Sequence, residues 1–458
     1  MSTNEKSVTP VDNKIRAFVY MGMGLLSIII GFVLTPSMAD MMEGLRLQET
    51  GSGLLDFNTF LAAGQLGAPF VNAGLMLIIV MISYLLTNTT INGGTIAAAY
   101  MVFGFSFCGK TLWNVWPLFF GVILHAVINK KKINTVTGLA WFSAALSPFV
   151  SVATLYIRMG GQSNETIGEV AQFSAVGLVL AIIIGLMAGY MVAVFASFLP
   201  EKHTGLSLYN AGFAAGLTGF VLFSLMKVLG YGHTSSGPMH DFPDLGNWKL
   251  IGGIAALLAY LVIVGVLISA KEKAQAAAVV TKLYSGSAVE QYGLGATLVN
   301  MGVCGFGCVL YWVLTTTATA HGPLFACLFT VVGFASNGIS LRTMAPIMAG
   351  VYGMSFIATA IKAALIGAPV LETAFAYVGS KNMVLAAIFG CGMAPVVYRH
   401  GTLVGILTGA IHSILVVNTG GLHGWMNLYN NGFCAGLVVT FMVPAILILL
   451  GKYQQEGK

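Results

Sequence analysis

Apolar runs of about 20 residues recur along the chain, and each is long enough to cross a bilayer as a helix. In the first half they fall at roughly 15–36, 67–86, 93–108, 113–129, 134–157, 173–199 and 205–230. In the second half they fall at roughly 248–269, 295–317, 322–337, 342–360, 383–398, 402–418 and 427–450, with a further stretch near 365–380. This pattern predicts an all-α polytopic membrane protein with about seven helical segments in each half.

The two halves repeat each other in sequence. Eight of the ten positions from Leu208 to Leu217 are identical in a second copy that begins at Leu428. Three blocks recur in the same order at nearly constant spacing, which indicates a duplication. The pairs are "SLYNAGFAAGL" with "NLYNNGFCAGL", "LGAPFVNAG" with "LGATLVNMG", and "GFSFCGKTLWNVWPLFFGV" with "GFASNGISLRTMAPIMAGV".

The duplication predicts the organisation of the chain. We expect a cytoplasmic tail at 1–14, a first transmembrane repeat at 15–230, an extracytoplasmic linker at 231–247, a second repeat at 248–451 and a cytoplasmic tail at 452–458. An odd number of segments in each half turns the second copy upside down, so the repeats are predicted to be inverted.

The basic residues support this orientation, because Lys and Arg collect in cytoplasmic loops. With both termini in the cytoplasm, 14 of the 21 Lys and Arg residues lie on that side; they are Lys6, Lys14, Arg16, Lys130, Lys131, Lys132, Lys202, Lys271, Lys273, Lys282, Arg342, Arg399, Lys452 and Lys458. We therefore expect a multi-pass membrane protein with both termini in the cytoplasm.

The third and fourth segments of each half are short for a bilayer, at about 16 residues or roughly 24 Å of helix. They meet at a break that contains a glycine, "CGKTLWN" in the first half and "NGISLRT" in the second. Two interpretations follow: the segments cross the membrane separately, or they form a re-entrant hairpin. The parity of the repeats is the same in both cases.

Composition excludes several classes of protein. The chain is 57% hydrophobic and only 8% charged, whereas soluble domains carry about a quarter charged residues. The net charge of +6 needs no nucleic-acid partner, since cytoplasmic loops account for it. The six cysteines lack metal-ligand spacing, so no metal and no cofactor is expected. The expected partners are the lipid bilayer and a small polar solute; a homo-oligomer is compatible with the sequence.

The Tyr-Asn-x-Gly motif is the first candidate site. It consists of Tyr209, Asn210 and Gly212 in the first half, and of Tyr429, Asn430 and Gly432 in the second. Asparagine offers two donors and one acceptor, and matched broken segments in two halves are typical of transporter sites. We favour a role in binding the solute; the alternative is that the glycines pack helices closely while the asparagines bond neighbouring helices.

The break between the short segments is the second candidate. If it is a re-entrant tip, Lys110 and Arg342 approach the middle of the membrane and could select an anion. If it is an ordinary loop, both side chains lie at the membrane interface. The aligned partners of Lys110 and Arg342 are Ile339 and Trp113, so the two charges are not symmetric.

Further matched polar positions complete the candidate set. Asn72 and Asn300 are equivalent, and we favour interhelical bonding over contact with the solute for both. Asn92 aligns with His321 at a matched helix start. Of the acidic residues, only Glu372 falls in a stretch predicted to be embedded, which favours a channel or facilitator over a carrier with buried carboxylates.

The full pattern resembles a duplicated family of bacterial inner-membrane proteins catalogued as a domain of unknown function. The resemblance rests on "GFSFCGKTLWNVWPLFFGV", "SLYNAGFAAGL" and their second copies. "TGLSLYNAGFAAGL" is also similar to the Gly-Leu-x-Gly-Tyr-Asn-Gly element of urea transporters, with Ala211 in place of the glycine that follows the asparagine. The second resemblance implies a two-fold pore for a small polar molecule.

The sequence thus predicts transmembrane transport of a small polar solute at a central site between two inverted repeats, by a facilitator, a channel or a secondary transporter. A small-anion carrier that uses Lys110 and Arg342 is one alternative. An intramembrane enzyme is another, but we expect no enzymatic activity, because the chain lacks a metal-binding HExxH, a Gly-x-Ser-x-Gly and a phosphate-binding P-loop.

Overall fold

The computed structural model describes residues 11–35, 37–50, 65–158, 175–202, 204–228, 244–272, 279–280, 285–316 and 320–452. Every regular element in these ranges is a helix. Residues 231–243 of the predicted linker lie outside the described residues, as do 1–10 and 453–458 of the predicted tails.

The first half contains nine helices within the described ranges. They are α1 (Asn13–Leu34), α2 (Met38–Thr50), α3 (Ala68–Leu86), α4 (Gly93–Phe105), α5 (Trp116–Ile128), α6 (Ile133–Ser143), α7 (Ser147–Arg158), α8 (Ala175–Lys202) and α9 (Asn210–Val228). A short 3₁₀ turn, Ala144–Leu146, joins α6 to α7 and makes them one interrupted helix.

The second half follows a similar order, with one helix, Val370–Val378, inserted between the equivalents of α5 and α6. Its helices are α10 (Asp244–Glu272), α11 (Ala288–Thr316), α12 (Gly322–Phe334), α13 (Leu341–Leu365), α14 (Val370–Val378), α15 (Lys381–Gly390), α16 (Ala394–His400), α17 (Thr402–Val416), α18 (Asn430–Leu437) and α19 (Val443–Leu449). The 3₁₀ turn Cys391–Met393 interrupts α15–α16 at the place where Ala144–Leu146 interrupts α6–α7. A π-helical turn, Val438–Met442, joins α18 to α19.

Ten helical stretches in the described part of the chain are long and apolar enough to cross a membrane. The prediction of an all-helical, multi-pass membrane protein is confirmed at this level. Four apolar helices are shorter, namely α4, α5, α12 and α17. With 13 residues each, α4, α5 and α12 extend about 20 Å, less than the bilayer core of about 30 Å. The fourth segments differ, because α13 has 25 residues and α5 has 13.

Local sequence explains where α4 and α13 begin. The Asn92 side chain accepts the backbone N–H of Thr95, and the Thr95 hydroxyl in turn accepts the N–H of Asn92, which caps the start of α4. Ser340 and Thr343 form the same reciprocal cap at the start of α13. These caps satisfy backbone donors that would otherwise be unpaired in an apolar environment, and they fix the first residues of the two helices.

Equivalent helices pack in equivalent pairs. Helix α1 packs on α3 as α10 packs on α11, and α5 packs on α8 as α13 packs on α17. The backbones touch in the α5–α8 and α13–α17 pairs. A Cβ on Gly121 would collide with the carbonyl oxygen of Leu186, and a Cβ on Gly350 would collide with the carbonyl oxygen of Ile406. Such close approach of small residues is a common source of helix association in membranes.

The equivalent helices α4 and α12 pack against each other across the two halves in an antiparallel arrangement. The Ser336 hydroxyl, just beyond the end of α12, donates to the carbonyl of Gly93 at the start of α4, with 2.9 Å between the oxygens. A Cβ on Gly104, near the end of α4, would lie 3.0 Å from the carbonyl oxygen of Ala326, near the start of α12. The matching contact joins Gly333, near the end of α12, to Ala97, at 3.3 Å from its Cα.

Candidate functional site

The segments before α9 and α18 are exchanged between the two halves: each one pairs with backbone of the other half. The backbone N–H of Leu208 in the first half donates to the carbonyl of Gly392 in the second, at 2.9 Å. The N–H of Leu428 donates to the carbonyl of Ala145 in the first half, also at 2.9 Å. Each segment therefore pairs with the 3₁₀ turn that interrupts a helix of the other half. Such a turn leaves backbone carbonyls without helical partners, and the exchanged segment satisfies one of them.

Each motif tyrosine likewise packs against a residue of the other half. The ring of Tyr209 packs edge-on against Phe334 of the second half, with centroids 5.1 Å apart. The ring of Tyr429 packs against Phe105 of the first half, at 4.9 Å. Phe105 and Phe334 end the equivalent helices α4 and α12. The Tyr209 hydroxyl donates to the carbonyl of Phe389 at 2.8 Å.

Lys110 gives the site its main asymmetry. Its side chain is fully buried, and its Nζ donates to the carbonyl of Met101 at 3.2 Å and to the hydroxyl of Tyr429 at 2.5 Å. The same Nζ lies 5.3 Å from the ring centroid of Phe105 and 4.7 Å from that of Tyr429. The described residues contain one ion pair, on α2, so no carboxylate pairs with the Lys110 amine within them. The second copy has Ile339 at this position.

Arg342 lies in a different environment. It is the second residue of α13 and is exposed, whereas Lys110 is fully buried. The matched pair of buried cations that the anion-carrier alternative requires is therefore not present in the described structure.

Asn72 and Asn300 make equivalent hydrogen bonds. The Asn72 amide donates to the carbonyls of Ser106 and Lys110, at 2.8 and 2.9 Å. The Asn300 amide donates to the carbonyls of Ala335 and Ile339, at 2.8 Å each. These carbonyls follow the C-terminal ends of α4 and α12, so each asparagine bonds the break after a short helix.

The matched positions Asn92 and His321 both precede a short helix. Asn92 caps α4, whereas His321 precedes α12 without capping it. His321 is buried, and its Nδ1 has no hydrogen-bond partner within the described residues.

The motif glycines lie against each other at the start of α9 and α18. A Cβ on Gly212 would lie 3.2 Å from the Cα of Gly432, and the reverse distance is 3.3 Å. Added Cβ atoms on Gly216 and Gly436 would collide with the rings of Phe433 and Phe213, respectively. The glycines therefore bring the two helix starts into contact, as the close-packing interpretation predicts.

The motif asparagines differ in their partners. Asn430 is 6% exposed, and its Oδ1 accepts a hydrogen bond from Nδ1 of His423 at 2.9 Å. The amide of Asn210 donates to the carbonyl of Ala196 at 3.3 Å. His203, the sequence equivalent of His423, lies outside the described residues.

A pocket opens beside Asn430. It has a volume of about 90 Å³, room for a few waters or one small molecule, and its lining includes Phe105, Asn382, Phe389, Trp425, Asn430 and Asn431. Phe105 belongs to the first half and the rest of the lining belongs to the second. Three asparagine side chains on an otherwise largely apolar wall are typical of sites for small polar ligands.

Sequence reasoning missed three residues near the site. Asn431 lines the pocket, and its Oδ1 is 3.2 Å from Nε2 of the buried His412. Trp425, which has a φ of 63°, also lines it. The carboxylate of Glu49 on α2 accepts the backbone N–H of Leu112, two residues beyond Lys110, at 3.0 Å. Asn431 could have been found as a departure from the repeat, because the first copy has Ala211 there.

The other acidic and metal-binding candidates are less informative. Glu372 is exposed in the first turn of α14. Among the described residues, no group of three His, Cys, Asp or Glu side chains could hold a metal ion. The chemistry of the site therefore rests on asparagine, histidine and tyrosine side chains and on one buried lysine.

Comparison with known proteins gives a family. The family described as "Protein of unknown function (DUF1576)" matches residues 48–228 and again residues 275–448. The chain belongs to this family. The double match confirms both the duplication and the family resemblance predicted from the repeated blocks. Neither the curated proteins nor the solved structures contain a match.

Proposed function

We propose that this protein carries a small polar solute across a membrane through the pocket beside Asn430, which lies where two inverted repeats interlock. The observation that carries the proposal is the pocket itself. It presents three asparagine side chains next to the exchanged Tyr-Asn-x-Gly segments, in a chain whose described part contains ten candidate membrane spans. Buried polar side chains in a membrane protein are costly, and they typically mark a substrate pathway.

The antiparallel packing of α4 on α12 supports inverted repeats. Equivalent residues make reciprocal contacts there, as Gly104 with Ala326 and Gly333 with Ala97 show. Two equivalent helices that are antiparallel are related by a two-fold axis perpendicular to them. For helices that cross a membrane, such an axis lies in the membrane plane, and transporters built this way place their sites near the midplane.

The breaks in the helices support a transport site. The 3₁₀ turns Ala144–Leu146 and Cys391–Met393 and the starts of α9 and α18 all lie near this pocket or the segments that pair beside it. Irregular backbone inside a membrane is tolerated where it is buried in protein or lines a polar cavity. We place the protein in the bacterial inner membrane with both termini cytoplasmic, and we assign it transport without enzymatic activity.

Flux in proteoliposomes tests the proposal. Purified protein is reconstituted, and stopped-flow light scattering follows osmotic shrinkage and re-swelling with urea, formamide, acetamide and glycerol, while sodium formate and sodium acetate are followed by their currents. We expect at least one solute to cross faster than in empty liposomes, and Asn430→Ala to reduce that flux. Asn210→Ala is the matched control, because Asn210 is not in the lining of the pocket. Flux that is equal in Asn430→Ala and wild type would contradict the assignment of the pocket.

A further inference from the structure

We infer that the pocket beside Asn430 binds its solute through acceptor oxygens, so the solute is a small monovalent carboxylate or oxyanion. This inference rests on the proposed function and names the substrate class of the same pocket. Two independent observations support it: the orientation of two asparagine amides and the direction of three helices.

Two histidines determine which group of the Asn430 and Asn431 side-chain amides, the oxygen or the NH₂, remains free to bind a solute. His423 Nδ1 is 2.9 Å from Oδ1 of Asn430, and His412 Nε2 is 3.2 Å from Oδ1 of Asn431. An amide oxygen only accepts, so each histidine nitrogen must donate. Both amide oxygens are thus occupied, and the Nδ2 group of neither asparagine has a hydrogen-bond partner in the described part of the chain.

The Nδ2 group of Asn430 is therefore a donor without a protein partner among the described residues, on a residue that lines the pocket. Asn430 is 94% buried and begins α18. An unsatisfied donor of this kind is costly in an apolar surrounding, and a solute oxygen would satisfy it.

Three helices begin at the wall of the pocket. The lining residues Pro323, Asn382 and Asn430 lie at the first or second position of α12, α15 and α18. Helix N-termini carry partial positive charge and unpaired N–H groups, and interrupted helices in transporters direct them at anionic groups of the substrate. Their convergence adds to the donor character given by the amides.

Lys110 places a buried amine behind the wall. Phe105 separates it from the pocket: Phe105 lines the pocket, and its ring lies 5.3 Å from the lysine Nζ. The lining contains no Asp or Glu. The wall therefore carries no acidic side chain that would repel an anion.

Matched pairs of solutes test this inference. The pairs are sodium formate and formamide, sodium acetate and acetamide, and sodium nitrate and urea; the members of each pair are similar in size and shape, but one member is an anion. Thermal unfolding of the detergent-purified protein is titrated with each solute at constant ionic strength, with sodium gluconate as the balancing salt. Currents on solid-supported membranes report the anions, and osmotic shrinkage reports the neutral molecules.

We expect at least one anion to stabilise the protein saturably and to cross the membrane, with at least tenfold weaker binding of its neutral partner. Asn430→Asp keeps the shape and replaces the donor with an acceptor, so it should abolish anion binding. Asn210→Asp, at the equivalent position of the first copy, should retain it. The comparison of the pairs on the wild-type protein does not depend on either variant.

The other outcomes separate the two proposals. If a neutral member crosses and binds as well as or better than its anion, the inference is overturned and the proposed function stands. If none of the six solutes binds and none crosses faster than in empty liposomes, the proposed function and the inference are both overturned.

Discussion

Gly212 and Gly432 lie in contact where α9 and α18 begin, although 220 positions separate them in the sequence. An added Cβ on either residue would lie within 3.3 Å of the Cα of the other. The contact joins the two halves at the residues that follow the exchanged tyrosines. The Tyr-Asn-x-Gly motif therefore holds the two copies together, and one of its residues, Asn430, also lines the pocket.

This contact predicts the effect of Gly212→Val. Because backbone from both halves meets there, the larger side chain should force the helices apart and destabilise the protein by about 1–3 kcal/mol. Thermal unfolding of the purified protein measures the loss. Gly353→Val on α13 is the matched control, since an added Cβ at Gly353 meets nothing within 4 Å. Equal melting temperatures for the two variants would argue against close packing at Gly212.

The hydrogen bonds of Asn72 and Asn300 predict that replacing either residue lowers the stability of the protein even when no solute is present. Asn72→Leu and Asn300→Leu each remove an amide that bonds two carbonyls after a short helix. Each change should cost about 1–3 kcal/mol, because the carbonyls are left buried and unpaired. Thermal unfolding in the absence of ligand measures the cost, with the exposed Asn418→Leu as control. A loss of flux with unchanged stability would instead indicate contact with the solute.

Lys110→Met separates stability from selectivity. The buried amine has no carboxylate partner among the described residues, so an apolar side chain of similar length should leave stability unchanged or raise it by about 1 kcal/mol. The same change should weaken the response to anions, since it removes the basic group behind Phe105. Unfolding and acetate currents are measured together, and the exposed Arg342→Met is the control for loss of a positive charge. An unchanged anion response in Lys110→Met would remove the lysine from selectivity.

Glu49 predicts a pH dependence of stability. It lies on α2, which is outside the candidate membrane spans, and burial raises its pKa from 4.5 to about 7. The folded protein therefore holds this proton more tightly than the unfolded chain. The resulting stabilisation is complete below pH 4.5 and is lost as the pH rises through 7. The effect should be on the order of 1 kcal/mol, because Glu49 keeps some exposure.

Glu49→Gln should flatten this part of the pH profile. Melting temperatures of wild type and variant are compared from about pH 5 to about pH 8, a range that covers most of the expected change. Glu43→Gln, on the exposed side of α2, should keep the wild-type profile. Parallel profiles for wild type and Glu49→Gln would show that the carboxyl does not titrate between the folded and unfolded states.

Apolar runs predict the helices well because membrane spans are defined by composition over about 20 residues. The run at 173–199 becomes α8, Ala175–Lys202, and the run at 342–360 becomes α13, Leu341–Leu365. Helix α2 was not predicted, since it mixes charged residues such as Glu43 and Arg46 with apolar ones. These charged residues interrupt any apolar run, so composition does not mark the helix.

The site was predicted less completely, for a physical reason. The repeat treats Asn210 and Asn430 as equivalent, but only Asn430 lines the described pocket. The difference comes from positions where the copies diverge, such as Asn431 opposite Ala211. The contact of Phe105 with Tyr429 joins residues more than 300 positions apart, and no local pattern specifies such a pair.

The claim that two antiparallel copies enclose the site is tested most directly by the sidedness of two loops. Lys131 follows α5, and Gly367 follows α13, the equivalent helix. Lys131→Cys and Gly367→Cys are labelled with a membrane-impermeant maleimide in vesicles of known orientation; the six native cysteines are buried and should react little. We expect Lys131→Cys to react only from the cytoplasmic side and Gly367→Cys only from the opposite side. Labelling of both from the same side would contradict the inverted arrangement.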